Sequence, residues 1–181
     1  MSFKNEEEIN KKYNTGGDWL SLKEGANRVR VMSDCVDYGS HYSIGKSVIC
    51  IGKEHCVLCK KGLEPKVQFL SWVIDRADGK IKLFRFGYKI YKQLMAYKKS
   101  EDYAFDELPA YDITVNRVGT GKNSEYTVVP ARKNTEITDA EKDLFMKKYK
   151  DPNEIIDGMK AKVVFTENEP EEGEEEEIDT E

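Results

Sequence analysis

The period of hydrophobic and polar positions changes several times along the chain, and each change marks an element. From Asn27 to Met32 apolar and basic residues alternate, which puts Val29 and Val31 on one face of a strand and Arg28 and Arg30 on the other. The pattern predicts a half-buried strand with a basic outer face. The runs VQFLSWVID (67–75) and KIKLFRFGY (80–88) are rich in β-branched and aromatic residues. Arg76, Ala77, Asp78 and Gly79 join them with the Asp-Gly signal of a hairpin turn. From Tyr88 to Lys99 the period lengthens: Ile90, Leu94 and Tyr97 fall at i, i+4 and i+7, with Tyr91 and Met95 alongside, as on an amphipathic helix. YDITVNRV and SEYTVVP read as strands linked by GTGKN. A helix follows from Asp139 to Tyr149 with Thr138 as its N-cap, then a shorter one over Pro152–Met159 with proline at a tolerated first-turn position.

Residues 33–66 are rich in Gly, Ser, Cys and Lys, too long a stretch for a plain loop unless something organises it. With that region in second place, the order is strand, loop region, two strands, helix, two strands. It matches the five strands and intervening helix of an OB-type barrel, with an α+β sandwich as the alternative. The expected architecture is mainly β: a polar N-terminal arm (1–18), one OB-fold domain (19–166) whose metal loop spans about 35–66, and a tail (167–181).

Charge divides along the same boundary. The chain of 181 residues has a net charge of -5, yet the last 15 residues hold ten of its 34 acidic residues and no basic one, leaving residues 1–166 at +5. No apolar run approaches the roughly 20 residues of a membrane span, and MSFKNEEEINKK lacks a secretory apolar stretch. A soluble, intracellular protein with reduced thiols is expected.

Those thiols carry the clearest chemistry. Cys50, Cys56 and Cys59 have the spacing C-x5-C-x2-C, one ligand short of a closed tetrahedral site, and CVLC is a two-residue knuckle that turns both thiolates to one ion. His41 and His55 are the two histidines. His41 is the favoured fourth ligand because His55 would have to fold back beside Cys56. Four protein ligands leave no position for water, so the expected Zn2+ is structural. Cys35 stands apart and reads as a buried thiol.

Rings and cations are mixed on the same elements: Tyr38, Tyr42, Phe69, Trp72, Phe84, Phe86, Tyr88 and Tyr91, with Arg28, Arg30, Lys46, Arg76, Lys80, Lys82, Arg85, Lys89 and Lys92. Single strands bind where cations track phosphates and flat rings stack on bases. Trp72, between Leu70 and Ile74 on its face, reads as core. In KIKLFRF, the face holding Lys80, Lys82, Phe84 and Phe86 suits a groove better than a core. The expected nucleic-acid-binding set is Arg28, Arg30, Tyr38, Tyr42, Lys46, Arg76, Lys80, Lys82, Phe84, Phe86, Tyr88 and Tyr91. The tail, EPEEGEEEEIDTE, repels itself and is expected to be disordered, lying over the basic groove or recruiting partners.

These residues resemble the zinc-containing single-stranded DNA-binding, or helix-destabilising, proteins of T-even-type bacteriophages. The likeness rests on the opening from Trp19 to Val31, on H-x8-C-x5-C-x2-C from His41 to Cys59, on VIDRADGKIKLFRFG and YDITVNRVGTGKNSEYTVVP, and on the acidic end. It implies an OB barrel with a zinc subdomain and supports His41 as the ligand. It further implies a protein, monomeric in solution, that coats and protects single-stranded DNA cooperatively and without sequence specificity during replication, recombination and repair in the cytoplasm of a bacterial host. Its tail would contact replication and recombination proteins. The chain departs from the family at the N-terminus, where Lys11, Lys12 and Thr15 follow Glu6, Glu7 and Glu8; cooperative binding would need a basic patch there. An RNA-binding or transcription-linked zinc protein is the alternative reading. An enzyme is disfavoured, since the sequence has no P-loop, G-x-S-x-G or H-E-x-x-H.

Overall fold

The computed structural model describes residues 19–43 and 45–167; the N-terminal arm and the acidic tail beyond Glu167 lie outside them. The described chain is mainly β. Strands β1 (Gly25–Val31), β2 (Val36–Ser43), β3 (Lys46–Ile49), β4 (Lys66–Asp75), β5 (Lys80–Gly87), β6 (Ile113–Val118) and β7 (Glu125–Pro130) form one seven-stranded antiparallel sheet. Helices are α1 (Val57–Lys60), α2 (Tyr88–Lys98), α3 (Asp139–Lys148) and α4 (Pro152–Glu167).

Strand β4 is the hub. At ten residues it is long enough to pair with β5 along one edge, from Gln68↔Gly87 to Asp75↔Lys80. Its other edge is shared by β2, at 66–70, and β1, at 73–75. Between those two stretches Ser33 bridges the gap: Trp72 N donates to Ser33 Oγ (2.8 Å) and Ser71 Oγ donates to Ser33 O (2.8 Å). β1 goes on to pair with β6, and β6 with β7. Among the described residues β7 has no second strand partner, and α2 packs against β7, β4 and β5. The region 33–66 is thus more ordered than its sequence suggested, because β2 and β3 form a hairpin inside it.

Both faces of the β4–β5 pair are buried. Phe69 and Val73 with Phe84 and Phe86 meet Ile90 and Leu94 of α2. Leu70, Trp72 and Ile74 with Ile81 and Leu83 meet Tyr38, Ile49 and Ile156 of α4. Phe84 and Phe86, expected to face a groove, are 1% and 5% exposed under the amphipathic α2, so neither ring is open for stacking; Phe86 alone reaches the lining of a groove. Tyr38, at 6% exposure, is also core, while Cys35, expected to be buried, is exposed between Asp34 and Val36.

The basic outer face expected of β1 is instead an internal ion cluster. Asp112, fully buried, accepts from Arg30 Nε (2.9 Å), Arg28 Nε (3.0 Å) and Arg76 Nε (3.2 Å). The same arginines reach onward to the connector between β7 and α3. Arg30 and Arg76 donate to Thr135 O, Arg28 to Lys133 O, and Arg76 pairs with Glu141 (2.7 Å). Burial would raise the Asp112 carboxyl, but the hydrogen bonds and charges of Arg76, Arg30 and Arg28 hold it below the usual carboxylate range. Thr138 caps α3 through a capping box with Glu141, as its spacing predicts. α4 runs to Glu167, well past Met159, because Val163 continues the apolar stripe of Ile156 and Met159 and no Gly or Pro lies between Met159 and Glu167.

Candidate functional site

The four metal-ligating residues come together. Pairing of β2 with β3 sets His41 opposite Val48, and Cys50, just past β3, donates its N–H to Gly39 O (2.8 Å). A Cβ on Gly39 would lie 3.2 Å from Cys50 Cβ and 3.3 Å from Pro65 Cβ, so this crossing needs a glycine or a shift of both neighbours. Cys56 caps α1 and Cys59 lies one turn on. His41 Nε2 is 3.4 Å from both Cys56 Sγ and Cys59 Sγ, Cys50 Sγ is 3.5 Å from Cys59 Sγ, and all four ligand atoms lie within 4.8 Å of one another. Metal–sulfur and metal–nitrogen bonds of about 2.3 and 2.0 Å give a tetrahedron edges of about 3.5–3.8 Å, so the set fits one ion. His55 is exposed and outside the set.

The surroundings suit thiolate ligands. Burial works against the Cys56 thiolate, but N–H groups of Cys59 and Leu58 lower its pKa on balance. Burial and the adjoining Cys50 and Cys56 sulfurs push Cys59 up to about 11, as for three thiols that need a cation to ionise together. His41 Nδ1, the nitrogen that a metal-bound histidine usually gives to a neighbouring acceptor, is buried without a partner.

The residues expected to bind nucleic acid divide sharply. Arg28, Arg30 and Arg76 serve Asp112, and Lys82 is held by Asp75 and Asp78, each at 2.7 Å. Tyr38, Phe84 and Phe86 are core, and half-buried Tyr91 stacks on Phe69 with centroids 4.0 Å apart. Four remain open: Lys46, Lys80, Tyr88 at 56% exposure and Tyr42 at 65%. Tyr42, next to the ligand His41, lies under Lys122 of the β6–β7 turn, 6.0 Å from its ring centroid.

Tyr88 opens onto a groove of 610 Å3 where β4 begins, β5 ends and α2 starts; Lys66, Gln68, Arg85, Gly87, Lys89 and Tyr126 help line it, and no lining residue is acidic. Lys66, Arg85 and Lys89 are exposed and make no ion pair with a described carboxylate. Trp19, 39% exposed, bridges to Leu83 and takes the Arg85 guanidinium over its ring at 5.6 Å. Behind the wall Arg117 donates to Leu22 O (2.8 Å), another groove residue. The sequence reading placed Arg85 and Lys89 in the wider basic set but missed Lys66, Gln68, Tyr126 and Trp19 as partners. The signal in hand was position: Arg85 closes the apolar Ile81–Leu83 row, and Lys66 opens β4.

No known family, curated protein or solved structure matches this chain. The likeness to the phage proteins therefore rests on the residues quoted for it above.

Proposed function

We propose that this protein binds single-stranded DNA without sequence preference along the groove between β4, β5, β7 and α2, and that a structural zinc ion holds the β2–β3–α1 module in shape beside it. The observation that carries this reading is the groove's chemistry. Three cations without a carboxylate partner among the described residues, Lys66, Arg85 and Lys89, stand beside the exposed rings of Trp19 and Tyr88, with Tyr126 in the wall and no carboxylate among the lining residues. Cations at such spacing attract phosphates, and exposed rings stack on bases at about 1–3 kcal/mol each. Tyr42 and Lys122 extend the same chemistry across the tips of the β2–β3 hairpin and the β6–β7 turn.

The reading takes the sheet as an OB-type barrel in which α2 closes the gap between β5 and β7. Zinc is the metal that three thiolates and an imidazole in a tetrahedron suit best, and a four-ligand set leaves no open position for catalysis. Residues 167–181, carrying ten acidic side chains, would serve as the contact for replication and recombination proteins.

Fluorescence anisotropy with a labelled oligothymidylate tests the proposal. Affinity should fall steeply with salt, and a duplex of equal length should compete poorly. If duplex competes as well as single strand, the reading falls. Matched RNA in the same competition sets DNA against RNA.

A further inference from the structure

Strand β7 ends the sheet, and among the described residues no strand pairs with its outer edge. Such an edge leaves a row of backbone N–H and C=O groups to be met by something else. Gln93, half-buried on α2, meets two of them. Its Nε2 donates to Tyr126 O (2.9 Å), and its Oε1 accepts from Val128 N (2.8 Å). Those two groups flank Thr127, and a donor and an acceptor set astride one residue is the pattern that a residue of a parallel strand makes. The amide of Gln93 stands in for a strand at the edge of β7. Nε2 also donates to Lys89 O (3.1 Å), which fixes the amide's orientation, since turning it over would set its oxygen against two carbonyls.

Apolar packing alone would not choose this contact. α2 buries Ile90 and Leu94 in the core and lies against β4 and β5 as well as β7, which holds the helix over the sheet without fixing how it slides or rolls. Directional bonds to the β7 backbone do fix it. The groove makes that matter, because Lys89 of α2 and Tyr126 of β7 both line it, and Gln93 bonds to a carbonyl of each.

We propose that Gln93 is a positioning residue for nucleic-acid binding. By holding the first turns of α2 to the edge of β7 it sets the separation of Tyr88 and Lys89 from Tyr126, and so lets one strand meet both walls at once. The role rests on the groove being the nucleic-acid interface and goes beyond that reading, since Gln93 is not among the lining residues.

Two full-length variants test it. Gln93→Met keeps the length of the side chain and neither bond. Gln93→Glu keeps the shape and makes the latch depend on pH. Ionised, the carboxylate accepts from Val128 N but repels the carbonyls of Tyr126 and Lys89; protonated, its O–H donates to Tyr126 O while its carbonyl accepts from Val128 N, and the latch is restored. Facing two carbonyls, that carboxyl titrates above the ordinary glutamate range. At a pH of about 8, where the carboxyl is ionised, both variants should bind labelled oligothymidylate about tenfold more weakly than the wild type, the worth of one to two neutral hydrogen bonds. The Gln93→Glu deficit should persist as salt screens the added charge. At a pH of about 5 it should close, measured against the wild type at the same pH, while that of Gln93→Met stays. Exchange of the Val128 amide should be faster in each variant wherever the affinity is reduced.

A Gln93→Met chain that binds as the wild type does would overturn the proposal and leave the groove reading standing, whatever its melting temperature or Val128 exchange. So would a Gln93→Glu chain as weak in acid as Gln93→Met, or one whose deficit vanishes with salt, and these two outcomes decide the matter even if Gln93→Met melts below the assay temperature. If the wild-type chain binds no oligothymidylate, the groove reading falls and the positioning role falls with it.

Discussion

Asp112→Asn should destabilise the protein far more than a typical single substitution. The carboxylate is fully buried and accepts four guanidinium hydrogen bonds, from Arg28 Nε, Arg30 Nε, Arg76 Nε and Arg76 Nη2. Asparagine keeps the shape but offers one oxygen, and turns an N–H2 group toward donors. About two of the four bonds are lost, at about 1.5–3 kcal/mol each for charged groups. Arg28 is 36% exposed and recovers part of its loss from water, so about 3–4 kcal/mol is expected, within the range for breaking a buried ion pair. Across a domain of this size that lowers the melting temperature by about 6–16 °C. Urea unfolding at pH 7 measures it, with an unchanged m-value. Acid supplies the second arm. A carboxyl held below its unfolded pKa contributes stability above that value, near 3.9, and loses it as pH falls through the lower folded value. The gap between wild type and D112N should therefore narrow below about pH 4. Amide exchange should speed up at residues 133–141, the connector that the arginines hold. A variant melting within about 2 °C of wild type, or a gap indifferent to acid, would refute the cluster's role.

Arg85→Gln should weaken oligonucleotide binding and lower the salt slope by about 0.7, whereas Lys82→Gln should leave affinity unchanged while lowering stability, because Asp75 and Asp78 already claim that charge. Equal losses of affinity would contradict the sorting of free from committed cations. Lys82 is raised above its ordinary value, its two carboxylate partners outweighing burial, and so stabilises the fold below pH about 10.4 and ceases to as pH rises through its folded pKa. Lys82→Met should flatten that alkaline edge in thermal melts. Cys56→Ser should abolish stoichiometric zinc, measured by atomic emission, and expose Lys53, Lys60 and Lys61 to trypsin while β4 and β5 stay protected from amide exchange. Cleavage no faster than in the wild type would mean that the metal does not hold the module. Phe84→Ala should cost about 3–5 kcal/mol as a core cavity, without the loss of base stacking that a groove residue would show.

What the sequence made legible was local. The Asp-Gly turn, the lengthened period from Tyr88 and the Thr138 cap each lie within one element, and the structure has them within a residue or two. The metal set was legible because C-x2-C fixes two ligands by itself. Hidden were the features that depend on partners far along the chain. β2 and β3, written VDYGSHYS and KSVI, alternate poorly, and their pairing with each other and with β4 makes them strands. Arg30 and Asp112 stand 82 positions apart, so a basic face could not be told from an ion cluster.

Strand β5 shows the difficulty within a few residues. Lys82 and Arg85 are both cations on an apolar strand, and neither charge nor spacing separates them. Lys82 lies opposite Val73, 2.7 Å from the carboxylates of Asp75 at the end of β4 and Asp78 within the turn; Arg85 lies opposite Leu70, with an indole for company and no carboxylate. Their neighbours make the first a staple and leave the second without a carboxylate, and the phenylalanines between and beyond them turn inward because α2, which follows β5 directly, folds back over them. On the proposed reading, binding chemistry in this protein is a remainder, the cations and rings left open once the fold has claimed its own, and it lies where β5 emerges from between its two cores beside the start of α2.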